Sequence, residues 1–198
     1  GGIGLGLLMA RMRGTIVEAL VRGVTQVMLA APSFLMAILL ILVFGVWLRV
    51  LPTNGVASAE GYILPSLALA LVTLAMTAQL LDSQLREALA SFYAQTARLR
   101  GLSEMRVLLT YALPNAVIPV VAMLGNFFAA VLGGAIIVET VFALPGIGSL
   151  ALEAIHYRDY PLLQGYVLFL GGIYILVTIA VDLVLLRLDP RVMLGGGR

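Results

Sequence analysis

The chain has 198 residues, of which 62% are hydrophobic and 11% charged, a balance typical of an integral membrane protein rather than a soluble enzyme. All twelve basic residues are arginine, which excludes a Walker A nucleotide site, because that loop needs a lysine on the phosphates. The lack of cysteine and the single histidine, His156, exclude thiolate chemistry and histidine-rich metal sites. We therefore expect no catalytic residue, no metal site and no cofactor bound by this chain.

Five apolar segments follow one another along the chain. A bilayer core of about 30 Å needs about 20 apolar residues in a helix, and residues 1–10 supply only half of that length. Arg11 and Arg13 follow this first segment, whereas a secretory signal has its basic residues in front. Residues 1–10 are therefore predicted to be the end of a membrane helix whose start is missing. The predicted complete spans are residues 27–48, 62–81, 115–138 and 162–186, with kinks expected at Pro32 and Pro119.

The arginines predict the orientation of these spans. If Arg11 is cytoplasmic, alternating spans leave only Arg49 and Arg158 outside, which satisfies the positive-inside rule and places the C-terminus in the cytoplasm. The arginines on the inner side are then Arg11, Arg13, Arg22, Arg86, Arg98, Arg100, Arg106, Arg187, Arg191 and Arg198.

The inner loop 82–114 is unusually long for a connection between two spans and is predicted to be folded. Leucines and Phe92 continue the helical spacing of the preceding span, and Asp82 with Arg86 forms an i, i+4 ion pair. Gly101 is expected to break this helix, Ser103 to cap a short amphipathic helix, and Pro114 to end it. From the residues alone, this helix either lies on lipid headgroups or is a lever that docks on a soluble partner.

Residues 95–101, followed after nine residues by 111–114, resemble the EAA loop of ABC importer permeases. The family pattern is Glu-Ala-Ala, three residues, Gly, nine residues, then Ile-x-Leu-Pro, and Ala97, Gly101, Leu113 and Pro114 match it. Gln95, Thr96 and Tyr111 depart from the general pattern but are similar to the oligopeptide, dipeptide and nickel branch. The resemblance to that branch, and in detail to its B-type subunit, continues through residues 139–142, 145–148, 158–161 and 189–191.

The resemblance implies an all-α, polytopic bundle of transmembrane helices of the type I ABC importer permease fold, with its first helix truncated or missing. It implies one permease domain over residues 1–198, with a cytoplasmic coupling loop at 82–114 and an outer loop at 139–161. The family function is ATP-driven import of peptides through the bacterial or archaeal inner membrane. Nickel or another small solute is the alternative cargo.

The resemblance also implies the partners and the coupling residues. A second, similar permease subunit, two ATPase subunits that bind ATP and Mg²⁺, and an extracytoplasmic substrate-binding protein are expected around this chain in the lipid bilayer, with no nucleic acid. In the family the loop helix sits in a cleft on the ATPase, so Gly101 is interpreted as the corner of a lever. The coupling residues implied are Gln95, Thr96, Ala97, Arg100, Gly101, Glu104, Arg106, Leu113 and Pro114.

Polar residues within the spans are candidates to line a pathway. Thr73, Thr77, Gln79 and Asn126 are proposed for this role, with hydrogen bonding between helices as the alternative for each. Gly146 and Gly148 match a dinucleotide fingerprint only superficially, because spanning helices offer no βαβ context. Two other classes of function stay open: an ion-coupled carrier or channel, and a membrane anchor that would need no folded inner loop.

Overall fold

The computed structural model describes residues 1–53, 59–132 and 135–188, and every regular element within these ranges is helical. The α-helices are α1 (Gly2–Arg11), α2 (Ile16–Ala30), α3 (Ser33–Leu40), α4 (Ile63–Ala90), α5 (Phe92–Leu99), α6 (Glu104–Arg106), α7 (Leu113–Leu132), α8 (Ile136–Val141), α9 (Ile147–Tyr157) and α10 (Tyr160–Leu188). Two π-helices, Ile41–Trp47 and Val107–Ala112, and a 3₁₀-helix, Ala59–Tyr62, complete the described elements. The chain divides into two compact units, a first unit of residues 1–26, 74–125 and 179–198, and a second unit of residues 27–73 and 126–178.

The first unit is built on the second half of α4. Leu81 and Leu85 are fully buried there together with Val107 and Val120 from the following helices, and alanines fill the spaces between them. Helix α1 packs closely on α4, because a Cβ atom added at Gly6 would lie only 3.0 Å from the carbonyl oxygen of Ala78. Close van der Waals packing of these side chains holds the helices together, so this core positions the loop that follows α4.

The second unit has its own apolar core. Ala37 of α3, Leu64 of α4 and Phe142 after α8 are all but inaccessible to solvent and pack in one cluster. The carboxylate of Glu139 in α8 accepts a hydrogen bond of 2.7 Å from the backbone N–H of Ser149 at the start of α9. Helices α8 and α9 are therefore joined by a charged cap as well as by apolar packing.

Within the described residues, three helices are long and apolar enough to span a membrane, namely Ala59–Ala90, Glu104–Leu132 and Tyr160–Arg187. A fourth span is formed if Ile16–Ala30 and Ser33–Trp47 are taken as one element bent by 107°. The kink expected at Pro32 within the predicted span 27–48 is therefore a complete break between two helices. Pro32 has extended backbone angles, φ −56° and ψ 144°, and starts a new helix, since it has no N–H to continue the ladder of α2.

Two further boundaries differ from the predicted ones. The helix predicted over residues 115–138 ends at Leu132, and α8 begins separately at Ile136. Pro114 does not end a helix, because Glu104–Leu132 runs through it. The π-helix Val107–Ala112 directly precedes α7 and widens the backbone there, which relieves the clash between a proline ring and the preceding turn.

Candidate functional site

Helix α5 lies between α4 and α7 and presents two different faces. Ala94 and Ala97 are buried in the core of the first unit. Phe92 and Leu99 are 84% and 89% exposed, and their separation of seven residues places them on the same side of the helix. A short helix therefore holds two large apolar side chains away from its own core.

The break before α5 explains this exposure. Helix α4 ends at Ala90, and Ser91 has extended backbone angles, φ −69° and ψ 159°, so α5 does not continue the helical register of α4. The sequence spacing predicted the helix to continue through Phe92 as far as Gly101, and the break at Ser91 shows that this prediction is wrong.

The turn after α5 depends on Gly101. Its φ is +79°, in the left-handed region, and a Cβ atom added there would meet nothing within 4 Å. The N–H of Gly101 donates to the carbonyl of Arg98 at 2.9 Å, and the N–H of Leu102 donates to that of Ala97 at 3.3 Å. This is the Schellman arrangement, in which a glycine satisfies the last carbonyls of a helix, and it confirms the predicted break at this residue.

Arg98 ties the loop together, a role that the sequence pattern did not indicate. Its guanidinium pairs with the carboxylate of Glu104 through Nε to Oε1 at 2.7 Å and Nη2 to Oε2 at 3.2 Å. Its Nη1 donates to the carbonyl of Leu89 at 2.9 Å, at the end of α4. The Glu104 carboxylate raises the pKa of Arg98, so the guanidinium stays charged at physiological pH. One side chain thus joins the end of α4, α5 and the start of α6.

The other predicted coupling residues lie in three places. Gln95 and Thr96 bond locally, with Gln95 Nε2 donating to the Ala90 carbonyl at 3.1 Å and Thr96 Oγ1 to the Phe92 carbonyl at 2.9 Å. Leu113, half-buried against the core, and Pro114, exposed, lie at the start of α7. The remaining predicted side chains, Arg100, Glu104 and Arg106, are exposed around the Gly101 turn.

The four residues proposed to line a pathway lie in different surroundings. Thr77 is 4% exposed, and a Cβ atom added at Gly2 of α1 would lie 2.6 Å from its Cβ. Thr73 Oγ1 donates to the carbonyl of Leu69 in its own helix at 2.8 Å, and Gln79 donates to two oxygens of α2. Asn126 is exposed on α7. Their role in a pathway stays a prediction.

Residues 2–194 match the family described as binding-protein-dependent transport system inner membrane component. The chain belongs to this family. This confirms the resemblance drawn from residues 95–114 and the later motifs.

Two permeases are similar to this chain in sequence. The chain is 35% identical over 193 residues to the dipeptide transport system permease protein DppB of Bacillus subtilis (strain 168), covering 98% of this chain and 63% of the relative. It is 37% identical over 191 residues to the glutathione transport system permease protein GsiC of Escherichia coli (strain K12), covering 96% of this chain and 62% of the relative. The chain thus spans just over three fifths of the length of these relatives.

Two solved transporters have the same fold as this family member. A structure of the MetNI methionine ABC transporter in inward-facing conformations matches with a TM-score of 0.71 at 16% identity, over 95% of this chain and 86% of that chain. An amino acid ABC transporter with histidines matches with a TM-score of 0.62 at 18% identity, over 96% and 85% of the two chains. These matches confirm the predicted all-helical importer-permease fold.

Proposed function

We propose that this chain is the membrane subunit of an ATP-driven peptide importer and that α5 docks on a separate ATPase subunit. The exposed pair Phe92 and Leu99 carries the proposal, because an apolar surface on a short helix needs a partner to cover it. The hydrogen bonds of Arg98 to Glu104 and to the Leu89 carbonyl hold this helix rigidly, so it can transmit a displacement imposed by the ATPase.

The proposed complex contains two copies of the ATPase, a second similar permease and an extracytoplasmic binding protein. Family membership and the relatives support these partners, and the chain lacks the lysine that its own Walker A loop would need. ATP and Mg²⁺ would be bound by the ATPase subunits. Loop 82–114 and the C-terminus would face the cytoplasm, as the arginine distribution favours.

Transport requires the two helix arrangements to differ in their affinity for the cargo. In the proposed cycle, ATP binding closes the ATPases, and the cleft that holds α5 moves. Gly101 and Arg98 keep the angle between α5 and α6 fixed, so the displacement reaches α4 and α7 instead of being absorbed in the loop.

The docking surface is tested by changing its apolar residues in the assembled complex. Phe92→Ser and Leu99→Ser should each weaken retention of the ATPase and lower substrate-stimulated ATP hydrolysis, since each removes an apolar contact that the ATPase would bury. The double variant should lower both quantities roughly tenfold. Ile16→Ser is the matched control, because Ile16 is 80% exposed but lies outside the loop. Wild-type ATPase retention in both variants, with α5 cross-linking only to lipid, would contradict docking and show that α5 lies on lipid headgroups instead.

The cargo is tested with the wild-type complex in proteoliposomes. We propose short peptides, because the similar permeases are named for dipeptide and glutathione transport. Dipeptides, longer peptides, glutathione and Ni²⁺ are compared for stimulation of ATP hydrolysis and for uptake. Uptake that continues without any ATPase subunit would point to an ion-coupled carrier.

A further inference from the structure

Helices α2 and α4 face each other through polar side chains in the first unit. The contacting residues are spaced i, i+4, i+7 on α2 and i, i+3, i+7 on α4, so each set forms one stripe along its helix. The stripes pair in opposite chain directions, which defines an antiparallel register. We call this arrangement the polar zipper, and its three layers are Glu18 with Arg86, Arg22 with Asp82, and Thr25 with Gln79.

Two layers of the polar zipper form a closed ring of four charges. Arg22 Nη2 lies 2.6 Å from Asp82 Oδ2 and 2.9 Å from Glu18 Oε1. Arg86 completes the ring, with Nε 3.0 Å from Asp82 Oδ2 and its guanidinium also paired with Glu18. Each arginine therefore bridges both carboxylates, and no single contact holds the helices together.

The ring is protected from solvent on its Asp82 side. Asp82 is 1% exposed, and its Oδ1 has no hydrogen-bond partner among the described residues. Its charge is therefore balanced mainly by the two guanidinium groups that meet Oδ2. A buried carboxylate of this kind strongly disfavours any arrangement that takes the arginines away.

The third layer continues the contact with neutral groups. Gln79 Nε2 donates to Thr25 Oγ1 at 2.8 Å and to the Arg22 carbonyl at 3.4 Å, and Thr25 is 1% exposed. Apolar side chains can slide past one another with little change in free energy, whereas matched donors and acceptors specify one register. The polar zipper thus fixes how α2 lies along α4.

The position of the polar zipper connects it to α5. Helix α4 runs without interruption from the ring to Ala90, and only Ser91 separates it from α5. Arg98 of α5 in turn bonds the Leu89 carbonyl near the end of α4. A displacement of α5 is therefore delivered to the α4 segment that carries Asp82 and Arg86.

We propose that the polar zipper makes α2 part of the coupling lever, by holding α2 and the end of α4 as one rigid pair during transport. Motion imposed at α5 then moves two helices instead of one. The proposal rests on the proposed function, because it assumes that an ATPase moves α5.

The first experiment neutralises the buried carboxylate. Asp82→Asn leaves Arg22 and Arg86 facing each other, so uptake per ATP hydrolysed should fall roughly tenfold while ATP hydrolysis continues, an effect within the range of coupling mutations. Glu87→Gln is the matched control, since it removes an exposed carboxylate from the same helix. An Asp82→Asn complex that transports at the wild-type ratio overturns the proposal.

The second experiment replaces the ion pair between Glu18 and Arg86 by a covalent cross-link. The chain has no cysteine, so Glu18→Cys with Arg86→Cys gives a unique pair, in a complex whose partner chains are also free of cysteine. Before cross-linking, the double variant should hydrolyse ATP with little uptake. A flexible bis-maleimide that spans the distance of the lost ion pair should restore uptake. The two single variants treated with the same reagent are the controls.

The cross-linked variant shows if α2 and α4 move as one rigid pair or must separate during transport. If α2 and α4 must part during the cycle, the cross-link abolishes the remaining uptake, and the proposal is overturned. If the Asp82→Asn complex does not assemble, the cross-linking experiment still tests the proposal. Failure of the proposed function is distinguishable, because the wild-type complex would then show no ATP-dependent uptake at all.

Discussion

The two units make their turns with different residues. Among the described residues, the left-handed positions of the first unit are Gly14 and Gly101, with φ of +75° and +79°. Those of the second unit are Arg49, Ala143 and Arg158, with φ between +51° and +56°. A residue with a Cβ atom is disfavoured in this conformation by roughly 1–2 kcal/mol, whereas glycine adopts it freely.

The difference shows which turns need neighbouring contacts to hold their conformation. The turns of the first unit are relaxed, and its helices are held by buried leucines and by the polar zipper. The turns of the second unit are strained, and they persist because neighbouring contacts outweigh the strain, such as the 2.8 Å hydrogen bond from the Leu144 N–H to the Glu139 carbonyl. We expect the second unit to be more sensitive to changes in its helix caps and close contacts.

The largest effect on stability is expected at Gly148. A Cβ atom there would lie 3.0 Å from the backbone Cα of Ile136, so α8 and α9 would have to separate. Gly148→Ala should lower the free energy of unfolding by about 2–3 kcal/mol, measured by thermal unfolding in detergent. Gly165→Ala is the control, since no atom lies within 4 Å of an added Cβ atom there. An equal response of both variants would contradict close packing of α8 on α9.

The next effect is expected at Gly101. Gly101→Val should cost about 1–2 kcal/mol, because a β-branched residue is forced to a positive φ, while the space around it is open. The protein should still fold, but uptake should be uncoupled from ATP hydrolysis. Gly101→Asn should retain more uptake, since asparagine tolerates the left-handed region. Normal uptake by Gly101→Val would show that the turn transmits no motion.

A smaller effect is expected at the carboxylate cap. Glu139→Ala removes the acceptor of the Ser149 N–H and should cost about 1 kcal/mol, whereas Glu139→Gln should cost less because it keeps an acceptor oxygen. A Cβ atom at Gly146 would collide with the same carboxylate, so Gly146→Ala should displace the cap. The double variant Glu139→Ala, Gly146→Ala should therefore be no less stable than either single one, and additive losses would refute this coupling.

The smallest effect has the opposite sign. Ala143→Gly relieves a left-handed alanine, a gain of about 1–2 kcal/mol, but adds freedom to the unfolded chain, a loss of about 0.4–1 kcal/mol. The net gain in the free energy of unfolding should be about 0.5 kcal/mol. A chemical denaturation curve in detergent is the measurement, and destabilisation would mean that the turn is not strained.

The sequence predicted the long helices and the loop, because apolar length and glycine are local signals. It correctly placed the break at Gly101 and the Asp82–Arg86 pair. It failed at Ser91 and at Pro114, where helix packing and a π-helix override local preference.

The polar zipper could not be predicted from local spacing alone. Polar residues at 18, 22 and 25 and at 79, 82 and 86 have complementary spacing, and this is the signal that was available. Choosing the register requires knowing that α2 and α4 are neighbours. For the same reason the sequence left two roles open for Gln79, lining a pathway or hydrogen bonding between helices, and the structure shows its Nε2 donating to two oxygens of α2.

The anchoring of α5 by Arg98 also has a thermodynamic consequence for association. A helix whose backbone is already fixed at both ends loses little conformational entropy when a second protein covers it. The heat-capacity change of complex formation should then reflect the apolar area of Phe92 and Leu99 that leaves water, without a contribution from folding of the segment.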